Sequence, residues 1–137
     1  MFAEYENYLN EVKEFDNYWS DVGISEAVSM LEKFSANDWQ MLNEKIQDKS
    51  KVWLVSCAET LGDDVGGGSS FDLLLKLLSS EINEVKIAAL DSINSRISLG
   101  FDIGDSGGKI RSAVSTARGS AGVVVSRMLD SLEKKLT

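Results

Sequence analysis

A chain of 137 residues with a formal net charge of −8 is long enough to bury one continuous core, and its acidity opposes binding to nucleic acid. It holds no histidine, no proline and a single cysteine, Cys57. Histidine-based nucleophile pairs are thereby excluded, an internal disulfide is impossible, and helices must end at glycine rather than proline.

The acid is unevenly spread: residues 1–48 carry net −8, residues 49–107 net −4 and residues 108–137 net +4. No apolar run approaches the roughly 20 residues of a membrane span. The acidic start Met1-Phe2-Ala3-Glu4-Tyr5-Glu6 is not that of a signal peptide. A cytoplasmic, non-enzymatic protein, monomeric when free and without cofactor or metal, is the expectation.

From Phe2 to about Ser20 the apolar residues 2, 5, 8, 9, 12, 15 and 19 fall on one face of a helix. That face is aromatic, and it suits a helix that closes one end of a larger assembly. Tyr8 and Tyr18 stand off the main stripe and are candidates for a partner surface, where tyrosine is enriched. Ser25 reads as an N-cap for a short helix through Val28, Leu31 and Phe34. Ser35 or Asn37 caps the next, Asp38 to about Lys49, with Trp39, Leu42 and Ile46 inward. A further helix spans about Lys51 to Leu61 and stops at Gly62.

Residues 63–70, Asp-Asp-Val-Gly-Gly-Gly-Ser-Ser, form an acidic loop. Ser69 or Ser70 is expected to cap a helix over 71–78. After a turn at 79–83, a longer helix runs through Val85, Ile87, Leu90, Ile93 and Ile97. Gly100 to Gly108 is a second loop, carrying Asp102 and Asp105. The rest reads as one or two helices, broken near Gly119 and Gly122. Val123-Val124-Val125 leans toward a strand, but its helical flanks outvote it.

Two runs share one pattern at a spacing of 32 residues: Val55-Ser56-Cys57-Ala58-Glu59-Thr60-Leu61 and Ile87-Ala88-Ala89-Leu90-Asp91-Ser92-Ile93. A shorter third copy, Met128-Leu129-Asp130-Ser131-Leu132, follows 39 residues after the second. Such periods point to stacked helix pairs, each too small to bury its own core. Small residues on the inner side permit close approach. Stacking the second helices in parallel would set Glu59, Asp91 and Asp130 in a row. With the loop acids Asp63, Asp64, Asp102 and Asp105, this row is the candidate surface for a basic partner. Leu74 and Leu90 are expected in the core, and so is Cys57, as a small buried residue rather than a reactive thiol.

Other motifs fail on chemistry. Gly104-Asp105-Ser106-Gly107-Gly108 matches the segment around a chymotrypsin-like nucleophile, yet there is no histidine to serve it. Gly108-Lys109 lacks the earlier glycine, the following hydroxyl and the preceding strand of a P-loop. The glycines at 66–68 could present amides to an anion, but Asp63 and Asp64 make the spot electronegative. Neither loop has the alternating ligands of an EF-hand.

Residues 71–81 followed by 85–93 resemble a HEAT repeat: a two-helix unit, an acid in the turn, and a branched, basic, small-residue opening to the second helix. Trp53 to Gly62 is similar to the second helix of a preceding repeat. The resemblance implies an all-α, HEAT-like stack of antiparallel helix pairs in one domain, about seven or eight helices in all. Within it, residues 1–34 form N-terminal capping helices, 35–99 two pairs, and 100–137 the C-terminal helices.

The pattern Phe34-x3-Asp38-Trp39-x2-Leu42, then Trp53-x3-Cys57-Ala58-Glu59-x-Leu61-Gly62, is also similar to immunity proteins of polymorphic and contact-dependent inhibition toxins. That resemblance implies a protein that binds and neutralises a cognate toxin, often a basic nuclease, by covering its active site. A HEAT-type adaptor for an intracellular protein or peptide is the alternative.

Overall fold

The computed structural model describes residues 1–136; Thr137, the last residue of the expected C-terminal helices, lies outside them. Eight α-helices and no strand are found among the described residues. They are α1 (Phe2–Asn10), α2 (Ile24–Leu31), α3 (Ala36–Lys45), α4 (Lys51–Thr60), α5 (Gly67–Leu77), α6 (Asn83–Ser98), α7 (Gly107–Arg118) and α8 (Val123–Lys135). A π-turn, Trp19–Gly23, leads into α2, and a 3₁₀ turn, Ile46–Asp48, follows α3. None of these helices is long and apolar enough to cross a membrane.

Helices α4, α6 and α8 lie side by side, with α5 and α7 packed behind them. They run parallel, as four cross-links show. Lys51 at the start of α4 pairs with Glu84 at the start of α6. The Ser92 hydroxyl of α6 donates to the Ala58 carbonyl of α4 at 2.5 Å. The Asn83 amide reaches Ser120 just ahead of α8, at 2.6 Å. Near the far ends Lys135 donates to Asn94 and Ser98, both at 2.7 Å. The α4–α6 seam is tight because its residues are small. A Cβ on Gly62 would come within 3.0 Å of the Ser92 hydroxyl, and Cys57, Ala58 and Ala89 are fully buried. Leu74 and Leu90 are in the core as expected.

The N-terminal region departs from the single helix over residues 2–20. Helix α1 ends at Asn10, and helical structure resumes only at residue 17. Asp16 is the cause, since its carboxylate accepts the Trp19 backbone N–H at 3.0 Å and so caps a new helical start. Phe2, Tyr5, Leu9 and Trp19 reach the core, whereas Phe15 and Tyr18 are exposed. With helical structure already under way, Ser25 lies inside α2 and caps nothing.

Two other starts divide. Ser35 caps α3 in a full capping box with Asp38. Helix α5, by contrast, begins four residues ahead of the expected start at 71, with Gly66 at its N-cap and no side-chain cap. Gly66 has φ +77°, and a Cβ there would sit 2.4 Å from the Trp39 ring, so only glycine fits. The chain also breaks at 119–122 into α7 and α8, and Val123–Val125 is helical.

Candidate functional site

Between α4 and α8, across α6, lies an open groove of about 910 Å³. Its floor and walls are largely apolar, with Val55 from α4, Ile87 and Ala88 from α6, and Val124, Val125 and Met128 from α8. Every charged residue in the lining is an acid: Glu59, Asp63, Glu84 and Asp91. Toward the C-terminal end of α6 the lining turns polar through Asn94, Ser95 and Ser98, then ends at Leu99.

The two acids of the repeated position face this space together. Glu59 is held in place by the Trp19 indole N–H, which donates to its carboxylate at 2.9 Å. Partial burial raises the Glu59 pKa above the ordinary carboxylate value, the Trp19 bond opposes the shift, and the charge on Asp91 adds to it. Asp91 is also raised, by desolvation in the concave wall. Among the described residues no base forms an ion pair with Glu59, Asp63 or Asp91. Glu84 is engaged by Lys51.

The third acid of the expected row is elsewhere. In α8 the groove is faced by Val124, Val125 and Met128. Asp130, two residues beyond Met128, lies about 200° further round the helix. It is bound by the Arg118 guanidinium at 2.8 Å, which also holds Glu133. The row is therefore a pair, extended by Asp63.

The remaining candidates are dispersed. Asp64 is exposed; burial lowers the pKa of Arg96, and the charge on Asp64 opposes that shift. Asp102 accepts the Gly104 N–H at 2.9 Å in its own loop, and Asp105 is exposed on the same loop. Tyr8 and Tyr18 line a second, smaller depression of about 330 Å³ with Trp19, Glu11, Glu14 and Asp16. The Tyr8 hydroxyl donates to Glu26 at 2.5 Å, and partial burial followed by that carboxylate pushes its pKa up. Cys57 is fully buried, and burial drives its thiol up to about 12, far from a reactive thiolate.

Arg96, a residue the sequence reading passed over, is fully buried. Its guanidinium donates to the carbonyls of Leu61 (3.2 Å), Val65 (3.4 Å) and Gly67 (3.1 Å) and to the Ser70 hydroxyl (2.7 Å). It also stacks on the Phe101 ring, 4.5 Å from the centroid. The Leu61 carbonyl, at the C-terminal end of α4, suits a cation, because that end carries partial negative charge. Arg96 thus clamps residues 61–70 to α6 and sets the position of Asp63 at the groove edge.

Comparison with known proteins finds no protein family, no curated sequence and no solved structure that matches this chain.

Proposed function

We propose that this chain is a non-enzymatic binding protein whose groove receives a basic protein. In the form suggested by the sequence resemblance, it is an immunity protein that covers the active site of a basic toxin. The observation that carries the reading is the groove lining, which combines four acids, no base and an apolar floor. Two of these acids, Glu59 and Asp91, are partly desolvated and have no ion-pair partner among the described residues, which raises the energy of the free protein. A cationic partner relieves that cost on binding. The net charge of −8 speeds encounter with such a partner and sharpens its dependence on salt.

The test compares the wild type with a Glu59→Lys/Asp63→Lys/Asp91→Lys variant, both isolated from the native cell. The expected result is a small basic protein held by the wild type and lost from the variant, with nuclease activity reappearing when the two are separated. A partner retained equally by both proteins, or an acidic one, would overturn the reading.

A further inference from the structure

The groove also selects the form of its occupant. We infer that it takes a single amphipathic, basic α-helix presented by a protein partner, an inference that rests on the reading of the groove as a docking surface for a basic protein.

The first ground is the apolar surface left uncovered. Val124 is 81% exposed, Val123 70% and Leu99 60%, yet Val124 and Leu99 line a groove whose other wall is Val55, Ile87 and Ala88. An occupant must therefore carry an apolar stripe. Met128 on the α8 wall can adjust to it, because an unbranched thioether fits irregular partners.

The second ground is charge. Glu59, Asp63 and Asp91 lie on the α4 side and midway along α6. Two bases that bond lining residues toward the ends are already committed, Lys51 to Glu84 and Lys135 to Asn94 and Ser98. The occupant must bring its cations to the middle of the groove. A second copy of this chain, with its own net charge of −8, is the wrong partner for such a site.

The third ground is the backbone. The groove is walled by α4, α6 and α8, whose peptide groups are bonded within their own helices, so no sheet edge is offered. An extended peptide lying here would bury its N–H and C=O groups without partners. A helix arrives with those groups already satisfied and presents anchors at i, i+3, i+4 and i+7. The floor from Glu84 to Leu99 of α6 measures about 22 Å at 1.5 Å per residue, which is roughly four helical turns.

The experiment uses the whole protein and three capped synthetic peptides of about 15 residues, enough for four turns. One has a leucine stripe with lysine and arginine on its flanks. The second has the same composition interrupted by a central proline, and the third replaces the bases by glutamine. Backbone and methyl NMR shifts locate binding, and calorimetry measures it.

The basic helix is expected to shift Ile87, Ala88, Val124 and Met128 and to gain helical circular dichroism on binding. The proline peptide should bind about a hundredfold more weakly. Glu59→Gln with Asp91→Asn should weaken the basic helix about tenfold. If the proline peptide binds the same residues equally well, the helical occupant is wrong while the basic-partner reading stands. If the glutamine helix binds as tightly as the basic one, both the proposed cation and the charge reading fail. Shifts confined to the acidic N-terminal helices, or no binding at all, would overturn helix docking in this groove.

Discussion

Two polar clusters sit on the same α4–α6 seam, and they are built in opposite ways. At the end of α4, Arg96 is fully buried and surrounded by four acceptors and an aromatic ring. Five residues earlier on α6, Asp91 stands beside Glu59 of α4; the two are half-open and repel each other, and the Trp19 indole donates to Glu59. One cluster is closed upon itself and holds the fold. The other is left short of a counter-charge on the side that faces solvent, where a partner can supply it. A charge that is fully satisfied internally argues for structure, and one held in place without a counter-ion argues for binding.

Breaking the closed cluster should have the largest effect. Arg96→Ala removes all four guanidinium bonds, leaving the Leu61 carbonyl without its donor and the Val65 and Gly67 carbonyls with only the Ser70 hydroxyl, and should cost about 3–5 kcal/mol in chemical denaturation. Arg96→Lys should recover only part of this, since an ammonium cannot reproduce the planar fork or stack on Phe101 as well.

Core truncation comes next. Leu74→Ala and Leu90→Ala, at positions 0% exposed, should each cost roughly 2–5 kcal/mol. Gly66→Ala should follow at about 1–3 kcal/mol, because it forces a left-handed backbone and a clash with Trp39.

The open cluster should respond with the opposite sign. In the folded state the pKa values of Glu59 and Asp91 are raised, so the folded protein holds those protons more tightly than the unfolded chain. The destabilisation is fully present at neutral pH. It is relieved as pH falls through the raised values toward the ordinary carboxylate range, below which nothing more is gained. Glu59→Gln keeps an acceptor for the Trp19 indole and removes the charge. Stability at pH 7 should therefore be unchanged or higher by about 0.5 kcal/mol, with a flatter pH dependence in thermal melts between neutral and mildly acidic conditions. Tyr18→Ala should be the smallest of all, within about 0.5 kcal/mol, as this side chain is 59% exposed.

What the sequence disclosed follows the same division. The 32-residue repeat placed α4 and α6 and their small-residue seam, because packing of a helix face leaves a period in the chain. The acids Glu59 and Asp91 were visible for the same reason. Asp130 was misplaced because the third copy matches only the last five of the seven positions and lacks the branched apolar start, and Arg118 of α7 takes its acid. Arg96 was overlooked because a charge is normally assigned to solvent. Its phase was the available signal, three residues after Ile93 and seven after Ala89 on the core stripe. The break at residues 11–16 was hidden by aromatic spacing that happened to continue across it, although Asp16 three residues before Trp19 is a capping signal. The contact of Trp19 with Glu59, 40 residues apart, leaves no local trace at all.

The most direct measurement of the contrast is a carboxyl-carbon NMR titration of Glu59 and Asp91, in the wild type and in Asp91→Asn. Both groups should titrate above the ordinary carboxylate range in the wild type. The Glu59 midpoint should fall in the variant as its neighbour's charge is removed, and both wild-type midpoints should fall when the basic helical peptide is added. Ordinary midpoints that ignore both the substitution and the peptide would contradict the account, because the groove acids would then be no more than solvated surface.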